Sequence, residues 1–343
     1  MKRMYALLLS TILLLSCLTV LTLNGCGNGS PQWMSWPESP TEDFSYTLSD
    51  EGSEVYIQKY LGSDERVVIP SHIDGLPVVS LKGVVGEKSG FTYIEEGVFQ
   101  GNTTVKEVVL PATLKAIGSS AFEACTGLTA VYVPQDSPLH VISPSAFEGC
   151  TSLEALDLSS TAVWIIANNA FYGCTSLREI TFPETLTEIR KQAFYECKSL
   201  IELKFPSSLT TIEGEAFWYC ESLEKVNIPV NLDLRALEQI RFNEVPALKQ
   251  ITVDEGREVL DGYAFFAITG TTEIVIPAGV KTLDPDVFFM YGDNVSMKFL
   301  GDCPELTREV ADFPGTPTFY YDPATKGWEN CPWKGDYTFK PIE

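Results

Sequence analysis

Residues 186–229 read LTEIRKQAFYECKSLIELKFPSSLTTIEGEAFWYCESLEKVNIP and contain one pattern twice. An aliphatic residue (Ile189, Ile212) stands five positions before a phenylalanine (Phe194, Phe217), and a cysteine (Cys197, Cys220) three positions after it. Next come apolar residues alternating with one polar residue: Leu203 and Phe205 around Lys204, then Val226 and Ile228 around Asn227. A period of two is that of a half-buried strand, and Pro206 and Pro229 end it because proline cannot donate to a ladder. Outward from this stretch the phenylalanine recurs as Phe99, Phe122, Phe147, Phe171, Phe194, Phe217, Phe242, Phe265 and Phe288, at steps of 23, 25, 24, 23, 23, 25, 23 and 23 residues. A fixed period in the twenties is that of a solenoid, since no single unit can bury its own apolar residues and each must stack on a neighbour.

The expected fold is therefore a β-rich solenoid of about nine units of ~23 residues. Each unit contributes a short parallel strand, a second extended piece such as Leu186–Ile189 or Leu209–Ile212, and a tight helical turn over A-F-x-x-C. Only the two ends of such a stack expose strand edges, so both need caps.

The frame L-x-x-I-x-I-P…I-x-x-x-A-F-x-x-C resembles the BspA-like, or treponemal, class of leucine-rich repeat. The resemblance covers about residues 67–300. It is sharpest from Ile94 to Pro229 and blurred over Val230–Arg257, where the alanine before the phenylalanine is lost. It implies a curved bacterial surface protein used for binding rather than catalysis. Phe44–Val79, with two alternating strands, a VVIP segment and a GLP turn, resembles the family's leading unit and serves as N-terminal cap. FYYDPATKGWENCPWKGDYTF, residues 319–339, resembles the terminal element attached to such repeats, either an aromatic lid over the last rung or a separate ligand-binding module. The resulting organisation is a signal peptide (1–25), a flexible tether (26–41), an N-terminal cap with a first divergent repeat (42–93), the solenoid (94–301) and an aromatic C-terminal cap (302–343).

Lys2 and Arg3 precede an apolar run from Tyr5 to Leu23, which has the features of an export signal. Leu23-Asn24-Gly25-Cys26 then resembles a lipoprotein cleavage motif, with Cys26 as the lipidated residue. Leu14-Leu15-Ser16-Cys17 is a rival, and an uncleaved signal anchor a third arrangement; Cys26 is preferred because a polar Gly/Pro/Ser-rich stretch begins directly after it. Localisation at a bacterial cell surface follows, with the membrane reached through the lipid alone.

The net charge of −22 makes binding of nucleic acid or anionic lipid by the repeats improbable and suits basic partners. Of nine cysteines, Cys125, Cys150, Cys174, Cys197 and Cys220 share one repeat position. Stacked, they form one column of buried, reduced, metal-free thiols behaving as small apolar residues. Cys303 and Cys331 lie outside the repeats and are a candidate disulfide. His72 and His140 are the only histidines, Asp284 and Asp286 form no catalytic pair, and no metalloprotease, nucleophile-elbow or phosphate-loop motif is present. No catalytic residue, cofactor or metal is assigned, and enzyme activity is not expected.

Two surfaces are candidates for binding. The outward positions of the main strand, Val109, Tyr132, Asp157, Thr181, Lys204 and Asn227, are chemically mixed beside a constant buried column. The residues after three successive repeat phenylalanines, Tyr172, Tyr195 and Trp218, should form an aromatic stripe. The function expected is a lipid-anchored, monomeric surface scaffold that binds a protein or another macromolecule. The alternatives are a carbohydrate-binding protein, with the stripe or the C-terminal tryptophans as sugar platforms, and an envelope spacer.

Overall fold

The computed structural model describes residues 31–88, 91–234, 245–261, 265, 273–288, 295–308, 318–331, 333 and 337–343. The export signal, Cys17, Cys26, Leu237 and Phe242 lie outside these residues.

Each unit lays down two strands, and equivalent strands stack in parallel into two rows. The first row begins Arg66–Val68, Glu107–Val109, Ala130–Tyr132, Ala155–Asp157 and Glu179–Thr181. A second sheet then carries the row from Glu202–Leu203 and Lys225–Ile228 to Ser296–Phe299. The other row runs Leu76–Leu81, Ala116–Ile117, Val141–Ile142, Ile165–Ile166, Glu188–Ile189 and Thr211–Ile212. Pairing is residue for residue, as in Ile142 with Ile166 and Leu156 with Ile180. Register is fixed because a slip of one residue would turn every buried side chain outward.

The A-F-x-x-C stretch is not a helix. It is a run of tight turns, such as Glu123 N–H to Ser120 C=O (3.1 Å) and Cys125 N–H to Phe122 C=O (3.1 Å). Left-handed residues break it on either side of the phenylalanine: Ser120 and Ala124, Gln192 and Glu196. A helix would use the backbone groups internally, whereas the turns direct them to the next unit. Phe122 N–H reaches Ala146 C=O (2.8 Å), Phe147 reaches Ala170 (2.7 Å) and Phe171 reaches Ala193 (2.7 Å). The third side of the solenoid is thus hydrogen-bonded rung to rung as well.

The left-handed position after the phenylalanine is glycine at Gly149 and Gly173 but alanine at Ala124, with φ +55°. A Cβ costs roughly 1–2 kcal/mol in that conformation. Ala124→Gly should therefore stabilise the chain by about 1 kcal/mol in urea unfolding, while Ala121→Gly, in the buried ladder, should destabilise it. A loss of stability in Ala124→Gly would contradict the assigned backbone.

The core is a stack of rings. Phe99, Phe122, Phe147, Phe171, Phe194 and Phe217 follow at centroid spacings of 4.9, 5.0, 5.1, 5.1 and 5.4 Å, near the spacing of neighbouring strands. The stack continues into the N-terminal cap through Tyr60 and Phe44. There Phe44–Leu48 and Val55–Tyr60 form an antiparallel hairpin that closes the end. Beside the rings, Cys125, Cys150, Cys174, Cys197 and Cys220 are buried and free. Each thiol donates to the carbonyl of the preceding unit's phenylalanine, from Cys125 to Phe99 (3.0 Å) through Cys220 to Phe194 (3.3 Å). That carbonyl also accepts an amide of its own turn, such as Cys150 N–H to Phe147 C=O. The cysteine is therefore a donor, which an apolar residue of equal size could not be.

Where the repeat is blurred, Val245 and Leu248 keep their core positions. Arg257 reaches back to the carbonyls of Pro229 (2.9 Å) and Leu232 (2.7 Å). The C-terminal residues do more than cover the last rung. Thr318–Tyr321 and Thr338–Pro341 add two in-register strands to the first row, and Trp328 and Trp333 are buried against Phe299. The final edge carries Lys340 and Pro341, residue types that discourage another strand from pairing there.

Candidate binding surfaces

The first-row sheet sets the outward column on stacked rungs: Tyr132 pairs with Val109 and Asp157 with Thr181. Asp157, Thr181 and Lys204 are exposed. The two ends of the column are not available. Val109 is only 6% exposed. Its partner Val68 is bonded through both backbone groups to Ser39, which brings residues 31–43 across this edge. At the other end the Asn227 carboxamide accepts from Phe205 N–H (2.7 Å) and donates to Phe205 C=O (2.9 Å) and Asp254 Oδ2 (2.8 Å). Asn227 is a piece of the sheet's wiring rather than a free contact.

Residues 31–43, which the sequence places largely in a flexible tether, are folded as an arm on the sheet. Trp33 stacks on Tyr132 at 5.6 Å, and Trp36 meets the same ring edge-on at 5.6 Å. The Arg66 guanidinium lies 3.7 Å over the Trp36 ring and pairs with Glu107. Tyr132 donates its hydroxyl to Glu107 (2.9 Å), and burial pushes its phenol up to about 12. Glu38 accepts from the Ser71 amide and hydroxyl. Two tryptophans in an otherwise polar stretch were the sequence signal for this arm.

Between the arm and the sheet lies a groove of about 580 Å³. Pro31, Trp33, Met34 and Tyr132 form one side, Ala130 and Ala155 the floor, and Glu154, Asp157 and Glu179 the far end. Burial and the neighbouring Asp157 and Glu202 raise the Glu179 carboxyl above its ordinary value.

The aromatic stripe forms, and its rings pack largely on one another. Tyr172 and Tyr195 stack at 4.7 Å and 3°, and Trp218 tilts against Tyr195 at 6.4 Å. Tyr219, absent from the sequence argument, joins edge-on at 5.3 Å because its backbone is left-handed (φ +58°). A sugar platform needs an open ring face, and Trp328 and Trp333 do not offer one, being buried in the C-terminal cap. Cys303 and Cys331 bring their sulfurs to 2.8 Å beside Trp333. The His72 ring hydrogen-bonds to Ser71 and the His140 ring to the Pro138 carbonyl, and Asp284 and Asp286 are both held by Arg308. Among the described residues no cluster of potential metal ligands occurs, and no helix is long and apolar enough to cross a membrane.

Several solved structures resemble the chain. A Treponema pallidum (T. pallidum) leucine-rich repeat protein is 24% identical over 77% of this chain and 86% of its own, with a TM-score of 0.39. A leucine-rich cell surface protein from Faecalibacterium prausnitzii is 20% identical over 79% of each chain (TM-score 0.42). The pneumococcal vaccine antigen PcpA is 15% identical over 90% of this chain and 99% of its own (TM-score 0.45). No curated protein matches. The sequence profile of the BspA type leucine-rich repeat region matches residues 80–165 and 164–293, the span that builds the ring stack and the thiol column. On that match the chain belongs to the BspA-type leucine-rich repeat family.

Proposed function

We propose that this chain is a surface-exposed interaction scaffold, anchored through a lipid on Cys26, that binds a protein ligand on its first-row sheet. The observation that carries the reading is the exposed, in-register pair Asp157 and Thr181 at the end of the first sheet, followed on the next rung by the exposed Lys204, all over a filled core. Such a surface offers chemically varied side chains at fixed spacing and loses little entropy when it binds. Catalysis is not part of the reading: the two histidines and the paired aspartates are tied to local partners. The glycan alternative is the weaker reading, since Tyr172 and Tyr195 each lose a ring face to the other. The capped ends favour a monomer.

The test is a binding screen of the purified chain on protein and glycan arrays, repeated with Thr181→Arg plus Lys204→Glu and with Tyr195→Ala. Loss of a protein ligand by the sheet variant alone supports the reading. Loss by Tyr195→Ala alone moves the site to the stripe, and hits confined to the glycan array overturn the reading. In a bacterial host Cys26→Ser should move the protein out of the membrane fraction; retention there, with Cys17→Ser releasing it, would transfer the anchor to Cys17.

A further inference from the structure

Some acidic side chains on this solenoid are bridged to a cation one rung away. Lys249 pairs with Glu224 (2.5 Å), Lys281 with Glu258 (2.6 Å) and Arg190 with Glu213 (2.7 Å). At the far end of the arm–sheet groove three carboxylates meet without such a bridge. Glu154, Asp157 and Glu179 form no ion pair among the described residues: Arg178, whose amide bonds Glu154 C=O on the next rung, makes none with them, and Lys204 is 3.9 Å from Glu202 instead. The groove itself comes from the register. Ala130 sits opposite Ala155, and Ala155 opposite Glu179, so two methyl-sized residues form a floor between taller neighbours. At the near end Trp33 and Tyr132 supply an apolar wall. The same arm already receives a cation on an indole, since Arg66 lies over Trp36.

We propose that this groove takes an extended peptide segment carrying an arginine or lysine two residues from a flat apolar side chain. The cation goes to Glu154, Asp157 and Glu179, and the apolar group lies against Trp33 and Tyr132. Alternate side chains of an extended segment project to one face about 7 Å apart, which spans neighbouring rungs. The ligand supplies the positive charge that the rungs on either side draw from their own lysines and arginines. This proposal rests on the protein-binding reading above and names the chemistry of its ligand.

The test uses the purified full chain and two labelled nonapeptides in fluorescence anisotropy, one with the core Arg-Ser-Trp-Ser-Arg and one with glutamine in place of both arginines. The arginine peptide should bind saturably, and more weakly as salt rises. Glu154→Gln plus Glu179→Gln should raise its Kd at least about tenfold, the scale of a lost charge contact. Ala155→Phe should fill the floor and abolish binding, whereas Glu221→Gln, on a distant turn, should change nothing. Circular dichroism checks that each variant is folded. Equal binding of the glutamine peptide, no saturable binding, or indifference to the groove variants overturns the proposal. Competitive displacement by calcium would reassign the carboxylates to a cation, and glycan binding lost in Ala155→Phe would reassign the groove to sugar; either also overturns it. If the peptide fails while Thr181→Arg plus Lys204→Glu still abolishes a protein ligand, the scaffold reading stands without this groove.

Discussion

Phe194→Ala should destabilise the chain by roughly 3–5 kcal/mol. Phe194 is fully buried, stacked at 5.1 Å on Phe171 and 5.4 Å on Phe217, with Phe182 edge-on at 6.1 Å. Removing the ring leaves a cavity walled by three ladders of hydrogen bonds that cannot close without breaking register. The loss is shared with the neighbours, because each rung rests only on the rungs beside it. Hydrogen exchange should therefore quicken at Phe171 and Phe217 as well as at the substituted rung. A urea midpoint equal to that of the native chain would refute the ring stack.

The thiol column produces an effect of similar size at high pH. An unfolded cysteine ionises near pH 8.5. In the folded chain burial pushes Cys125 up to about 12, and burial likewise holds Cys150, Cys174, Cys197 and Cys220 well above their ordinary value. Above pH 8.5–9 the unfolded chain has lost protons that the folded chain keeps, so stability falls as pH rises. The contribution is complete below that pH and is lost progressively toward and beyond 12. Each thiol contributes a slope of about 1.4 kcal/mol per pH unit, so five together approach about 7 kcal/mol per unit. Urea unfolding at pH 8, 9 and 10 reads the slope directly. A chain with Cys150, Cys174 and Cys197 all changed to alanine should start less stable yet show a slope reduced by about three protons. An unchanged slope, or alkylation of the folded chain below pH 10, would show that the column is open to solvent.

The repeat was legible because a solenoid puts the same demand on the same position in every rung. The ring stack needs a flat apolar side chain at Phe122, Phe147 and Phe171 alike, so the requirement is printed at a fixed period. The thiol's bond to a carbonyl was not legible, since cysteine at that position also satisfies a purely apolar environment. The tight turn over A-F-x-x-C was legible but its hand was not: a phenylalanine and a cysteine three residues apart fit a right-handed helical turn equally well, and the left-handed Ser120 and Ala124 decide it. The arm was missed for a different reason. Trp33 and Trp36 are held by Tyr132 and Arg66, which belong to other rungs, so nothing near them in sequence fixes their position. Asn227 likewise reads as an outward polar residue until Phe205 and Asp254 are placed beside it.

The direction of the three hydrogen-bonded sides has a mechanical consequence. All of them run along the solenoid axis, so tension between its ends loads the bonds head-on, one rung after another, instead of shearing many at once. A rung of 23 residues occupies about 5 Å in the stack and about 80 Å when drawn out. Under load the molecule would pay out chain in steps of roughly 75 Å, each absorbing the stacking free energy of a single ring and thiol, while the remaining rungs keep their shape.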